Sequence, residues 1–242
     1  MKDSVAPQAN LPLSPPPLVR CYCDFDIEHE APPDAMVFDA PDIEPWVTYF
    51  SGVVLPTGSE TRAETLLASG AACVFLGQAA LCDSRVVERL VAHHGTEHVG
   101  IYAPVRRQAV SWSFDTVSNA DFRVVTPSFC EPAWEVLLAD GTGTAALVGW
   151  WLKAMRESGA GSLLVLADIV DDSDLNLCAT LVGEFGEALW LGPLHDKAPP
   201  LVDWVRYGQL RQIALPREIY ACRENLFAEL APATDIDTVA VA

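Results

Sequence analysis

From residue 18 onward the chain alternates short apolar runs with stretches of helical period, and no run is long enough for anything but a strand. The runs fall at residues 18–24, 35–39, 53–55, 73–76, 99–102, 163–167, 188–191 and 210–215. Short continuous apolar runs fit strands buried on both faces, which is how strands of a parallel sheet read. Between them lie amphipathic segments. A short helix is expected around 43–50. Ser59 is placed to cap a helix carrying Ala63, Leu66 and Leu67 inward and stopping at Gly70. Asp83 precedes a stripe of Val86, Val87, Leu90 and Val91, and residues 144–158 place Leu147, Trp151, Leu152 and Met155 on one face before Gly159. Helices are also expected over 174–185, 200–207 and from Pro216 onward, the last bearing Ile219, Leu226, Phe227 and Leu230. Eight strands with mostly helical crossovers predict an α/β fold of the (β/α)8 barrel type, with an open doubly wound sheet as the alternative. No GxGxxG follows the first strand, so a dinucleotide fold has no support.

Two segments break the alternation. The acidic stretch 26–34 is too short for the crossover that joins parallel neighbours, so the barrel is expected to be trimmed at its first helix. Residues 107–140 show strand-like pieces at 109–114, 122–125 and 134–138, which reads as a β-rich insertion after strand five. Residues 1–17 hold five of the eighteen prolines and read as a flexible arm. The expected organisation is therefore an arm over 1–17, one barrel over 18–232 and a tail over 233–242. In the first strand Leu18, Arg20, Tyr22 and Asp24 share the interior side, while Val19, Cys21 and Cys23 face outward where the helix is missing. Leu11 and Leu13 of the arm, or a second subunit, are the candidates to cover that groove, and a homodimer is expected.

A formal charge of −18 with no basic cluster beyond Arg106-Arg107 argues against nucleic acid. No apolar run approaches the ~18–20 residues of a membrane span, and the first residues lack a signal-peptide stretch. Seven scattered cysteines, an odd number, do not suggest a disulfide framework, and a cytoplasmic setting is expected. Cys21-x-Cys23 has no second pair at metal spacing, so each reads as a small buried hydrophobe. Asp24, Asp26, Asp39, Asp42, Asp168, Asp171, Asp172 and Asp174 all follow strand ends and would ring one mouth of a barrel, the face where barrel sites lie. Oxygen ligands suit Mg²⁺ or Ca²⁺, but loops and N-caps favour aspartate regardless, and neither metal nor cofactor is expected. His93-His94 sits at a helix end, where a structural role fits the dipole. His195, after the seventh strand, could reach the mouth. Trp112, Trp134, Trp150 and Trp151 read as core or interface anchors.

At 66–81 the sequence LLASGAACVFLGQAAL resembles the fourth-strand region of the histidine-biosynthesis ribotide isomerase and cyclase barrels, the HisA/HisF group. Val37-Phe38-Asp39 is similar to that family's second strand and Val99-Gly100-Ile101 to its fifth. Residues 134–144 resemble its hairpin region, SGAGSLLVLADIVDD at 158–172 its sixth strand, and 211–220 its last strand and turn. The resemblance implies two acid/base positions for opening and rearranging an aminoaldose phosphate. One falls on Asp24; the other, an aspartate in the family, falls on Tyr102, whose phenol is a poor base at neutral pH. The sixth-strand threonine falls on Ala167, while Asp168 and Asp172 match.

Of the glycine turns that would grip phosphate, Gly77-Gln78-Ala79-Ala80 remains. The others become Val54-Leu55-Pro56, Gly192-Pro193 and Pro216-Arg217-Glu218. The resemblance thus implies catalytic positions at Asp24 and Asp168, and a small-molecule site drawing on Asp39, Gly77, Gln78, Ala79, Asp172, His195 and Arg217. The leading expectation is a diverged barrel without the isomerase activity, acting as a binding or accessory protein. An active enzyme with changed substrate is the second reading, isomerase-like or lyase-like on a small polar metabolite. The family's relatives suggest tetrahydromethanopterin-linked one-carbon metabolism for it. A working phosphoribosyl isomerase is the third.

Overall fold

A computed structural model describes residues 17–26, 31–108 and 133–226. The arm short of Pro17, residues 27–30 of the acidic stretch, the pieces 109–114 and 122–125, Trp112, Cys130, Phe227, Leu230 and the tail lie outside the described residues.

Eight parallel strands close on themselves. In chain order they are β1 (Leu18–Asp24), β2 (Met36–Phe38), β3 (Gly52–Leu55), β4 (Val74–Leu76) and β5 (Val99–Arg107), then, past two additional strands, β8 (Ser162–Leu166), β9 (Leu189–Gly192) and β10 (Gln212–Pro216). Each pairs in parallel with the next, and β10 pairs with β1 to shut the ring. The additional strands, β6 (Trp134–Leu137) and β7 (Gly143–Leu147), run antiparallel off the end of β5. The fold is therefore a (β/α)8 barrel with a β-rich insertion after its fifth strand. Every strand expected from the apolar runs is present. Between β1 and β2 no helix occurs among the described residues, and a 3-10 helix at Glu44–Tyr49 stands between β2 and β3.

The outer layer contains α1 (Glu60–Ala68), α2 (Gln78–Cys82), α3 (Arg85–His94), α4 (Val148–Glu157), α5 (Asp172–Phe185), α6 (Leu201–Arg206), α7 (Arg217–Tyr220) and α8 (Arg223–Leu226). Ser59 caps α1 as expected, its hydroxyl accepting from the Arg62 N–H at 3.2 Å. The Asp83 carboxylate accepts from the Arg85 N–H at the start of α3. Two helices differ from expectation. The one read over 144–158 begins only at Val148, because residues 143–147 pair with β6 instead. Thr144 Oγ1 donates to the Val136 carbonyl at 2.7 Å and the Ala145 N–H donates to Glu135, so this stretch satisfies its backbone across the hairpin, and Leu147 is left 42% exposed rather than inward. The last helix is two short pieces, α7 and α8, with Arg223 stacked on the Tyr220 ring between them.

The strands' two faces form separate cores. One lies between strands and helices and includes Cys21, Cys23, Val53, Ile101 and Val165; the other fills the barrel interior with Tyr22, Met36, Phe75, Tyr102, Leu164 and Trp190. The first strand divides between them as its alternation predicts, with Arg20 stacked over Trp190 at 4.5 Å inside. The outward Cys21 and Cys23 are buried, and α7 packs against β1 with Ile219 and Tyr220 in the same cluster, so the barrel's own last turn supplies part of the missing cover. Among the described residues no helix is long and apolar enough to cross a membrane.

Phe75 sets the width of the interior. A Cβ on Gly52 or on Gly100, its neighbours on β3 and β5, would lie 2.6 Å from the Phe75 ring. One large side chain flanked by two absent ones fills the layer. Phe75→Ala is expected to destabilise the barrel by about 3–5 kcal/mol through the cavity it leaves. Gly100→Ala should cost about 1–3 kcal/mol by overpacking. Urea denaturation of the two variants beside the parent protein measures both.

Candidate functional site

The C-terminal ends of the parallel strands form the mouth of the barrel. A cavity of about 280 Å³ opens there on one side, over β1, β2 and β10. Its walls are Tyr22, Cys23, Asp24 and Asp26 from β1 and its exit, Phe38 from the end of β2, and Pro216, Arg217 and Glu218 where β10 turns into α7. The size is near the lower bound for small-molecule sites. Three carboxylates face one guanidinium, and the Arg217 Nη2 donates to Cys23 Sγ at 3.5 Å. The neighbouring Cys21 thiol, with Arg217 adding to it, holds the Cys23 thiol down to about 6 against the opposing effect of burial. In exchange Cys21 is pushed upward.

Behind the cavity the centre of the mouth is closed by aromatic rings. Phe38 packs edge-on against Tyr22 at 6.2 Å and against Tyr102 at 5.8 Å. The Tyr22 hydroxyl donates to the Pro193 carbonyl at 2.5 Å, tying β1 to the turn after β9. Burial raises Tyr102 to about 12, so its phenol holds its proton at neutral pH. Tyr102 is not among the cavity's walls.

The backbone donors of the turns after β4 and β9 bond to the protein itself. The Gly77 N–H donates to the Leu55 carbonyl at 3.0 Å and the Gln78 N–H to the Pro56 carbonyl at 2.9 Å. A Cβ on Gly77 would lie 2.7 Å from the Pro56 oxygen, so glycine is needed here for the close approach of two strand ends. Ala79 is in the first turn of α2, its carbonyl accepting from the Asp83 N–H. After β9 the N–H groups of Leu194, His195 and Asp196 converge on Oδ1 of Asp168, at 3.1, 2.7 and 2.9 Å. The His195 ring meets the other carboxylate oxygen at 3.0 Å. Three converging amides form an anion nest, and here a side chain is the anion. Burial works to raise the Asp168 carboxyl, but the His195 and Asp196 amides and the His195 ring outweigh it and hold it below the ordinary carboxylate value.

Asp39, Asp171 and Asp174 are likewise held in internal bonds. Asp39 is gripped by the Arg62 guanidinium at 2.7 and 3.0 Å, with Glu44 on its other arm. Asp174, 1% exposed, accepts from Arg107, from the Trp134 indole at 2.9 Å and from the Val170 N–H at 2.9 Å. Asp171 caps α5 and pairs with Arg107. These bonds fasten the β5–β6 hairpin to the start of α5. Asp172 is exposed in the first turn of that helix. Among the described residues no group of three His, Cys, Asp or Glu side chains is placed to hold a metal ion. His93 and His94 pair with Glu64, Trp134 and Trp151 are buried, and Trp150 is exposed.

Of the residues singled out in the sequence, the structure brings Asp24 and Arg217 together in the cavity and Asp168 and His195 together in the nest. Asp39, Gly77, Gln78, Ala79 and Asp172 stand apart from both. Sequence reasoning passes over Tyr22, Cys23, Phe38 and Glu218 as walls of a cavity. The alternation places Cys23 on the outer face, which is correct, but at the last turn of a strand the outer face and the mouth share an edge. No family model matches the chain, and no curated protein matches it either.

Asp168→Asn removes the charge from the nest while keeping the shape. A depressed carboxylate stabilises the fold above the unfolded-state value and loses that contribution as pH falls through the folded-state value. The variant is therefore expected to be less stable than the parent by about 1–2 kcal/mol at pH 7. The difference should begin to shrink once pH falls below the ordinary carboxylate value of about 4 and go on shrinking as pH falls through the lower folded-state value. Urea denaturation across that range checks both the size and its decline.

Proposed function

We propose that this chain is a diverged barrel of the HisA/HisF type that does not carry out the histidine-pathway isomerisation and acts instead as a binding or accessory protein, with a small polar ligand at the side cavity of its mouth. One observation carries the reading: the backbone donors that would hold a phosphate are already bonded, Gly77 and Gln78 to strand carbonyls and the 194–196 amides to Asp168. A phosphorylated substrate would have to displace protein acceptors at both places. The buried, protonated Tyr102 at the second acid/base position supports the same conclusion.

The cavity's own chemistry suggests the ligand. Asp24, Asp26 and Glu218 outnumber Arg217, whose guanidinium is directed at Cys23, so a compact molecule with a basic group suits it better than an anion. Asp24 is the residue proposed to meet that group. We also propose that copies of the chain associate through the start of α4, where Leu147 and Trp150 are 42% and 71% exposed one turn apart. Sedimentation of the full chain as a single 26.2 kDa species would remove that association.

Expression in a histidine auxotroph lacking the isomerase is expected to give no growth without histidine; growth would overturn the proposal. In a thermal-shift assay putrescine and agmatine are expected to raise the Tm, while inorganic phosphate and ribose 5-phosphate do not. At a hundred times its Kd a ligand adds about 2.7 kcal/mol, roughly 5–10 °C for a chain of this size. Asp24→Asn should abolish the amine shift. A phosphate response, or an amine response that survives Asp24→Asn, moves the site elsewhere.

A further inference from the structure

We propose that Cys23 is a reactive thiolate site at the barrel mouth, open to small disulfides and similar soft electrophiles that carry no net negative charge. The placement comes from the fold. Cys23 is the last outward-facing residue of β1, and its side chain reaches the cavity while only 9% of the residue is exposed. Arg217 is the first residue of α7, which packs against β1, so its guanidinium is held at the sulfur by the backbone of the barrel. The 3.5 Å contact from Nη2 to Sγ is a charge-assisted one that favours the anion.

Cys21 lies two residues back on the same face and is 1% exposed. It is a second sulfur that retains its proton when Cys23 loses one. Among the described residues the groups around the thiol are Cys21, Tyr22, Asp24 and Asp26 from β1 and its exit, Phe38 from β2, and Arg217 and Glu218 from α7.

The other described cysteines lack this combination. Cys73 and Cys178 are buried, and burial pushes both thiols up, Cys73 to about 12. Cys82 and Cys222 are exposed on the surface. Cys23 alone among the described cysteines faces a cavity with a guanidinium at its sulfur.

The reaction is thiol–disulfide exchange. The Cys23 thiolate attacks one sulfur of the small disulfide and its electron pair forms the new S–S bond. The disulfide's own S–S bond breaks, and the departing thiolate takes a proton from solvent. The product is a mixed disulfide on Cys23 and one free small thiol, with no further oxidant needed. Asp24, Asp26 and Glu218 select the partner: a dication such as cystamine is drawn in and an anion such as oxidised glutathione repelled.

The test treats the reduced full chain with cystamine between pH 5 and 9.5 and follows each cysteine by peptide mass spectrometry. The Cys23 rate is expected to reach its plateau at a lower pH than the rates of the surface cysteines. Cys82 and Cys222, both exposed on the surface, serve as internal controls. Cystamine should outpace oxidised glutathione at Cys23 by about tenfold or more, a preference that shrinks with added salt. Arg217→Met should raise the Cys23 midpoint by roughly one unit or more, and Arg217→Lys should restore most of the difference. If Arg217→Met does not fold, the parent's midpoint and reagent preference decide alone. A Cys23 that stays unmodified throughout, or that titrates with the surface cysteines, overturns the proposal. Asp24→Asn separates this inference from the ligand reading: it should abolish the amine-induced thermal shift and leave the Cys23 midpoint at or below that of the parent.

Discussion

A closed ring of eight strands has an interior of fixed size, and the side chains that fill it decide what space is left for anything else. In this protein the upper interior is filled by Tyr22, Phe38 and Tyr102 in edge-to-face contact. The central position that a barrel enzyme gives to its substrate is therefore occupied by rings. A cavity among the described residues lies to one side, over β1, β2 and β10, next to the connection where no helix joins the first two strands among those residues.

The same economy governs the backbone. An N–H at a strand end must find an acceptor in the protein, in water or in a ligand. Here the donors of two mouth turns find theirs within the chain. Pro56 has no N–H to offer, but its carbonyl accepts from Gln78, so the turn after β3 satisfies a donor of the turn after β4. On the far side Asp168 supplies an anion to three amides. Four of the mouth aspartates, which look in sequence like parts of one ring, belong to separate internal bonds: Asp39 with Arg62, Asp168 with the 194–196 turn, Asp171 and Asp174 with Arg107. Asp24 and Asp26 are the ones that line the cavity.

The strands are legible because each is buried on both faces, and a continuous apolar run as short as 163–167 fits a doubly covered strand better than any helix or loop. The alternation in β1 also tells interior from exterior correctly, from Tyr22 to Cys23. Helical period misleads at 144–147, where a hairpin partner outweighs local pattern. The candidate site is less legible for a related reason. A glycine retained for contact with Pro56 looks the same in sequence as one retained for a phosphate. Arg217 and Cys23 are 194 positions apart, and only closure of the ring by the β1–β10 pairing brings them into contact.

The β5–β6 pairing has a further consequence for the segment it encloses. The Gln108 N–H donates to the Ala133 carbonyl at 2.8 Å, Arg107 stands opposite Trp134, and both of those side chains reach the buried Asp174. The two ends of residues 109–132 are thus held together by a ladder and a buried ion pair that belong to the barrel. The barrel keeps Gln108 and Ala133 side by side through bonds of its own, so the spacing of these two anchors is set by the ring and not by what joins them.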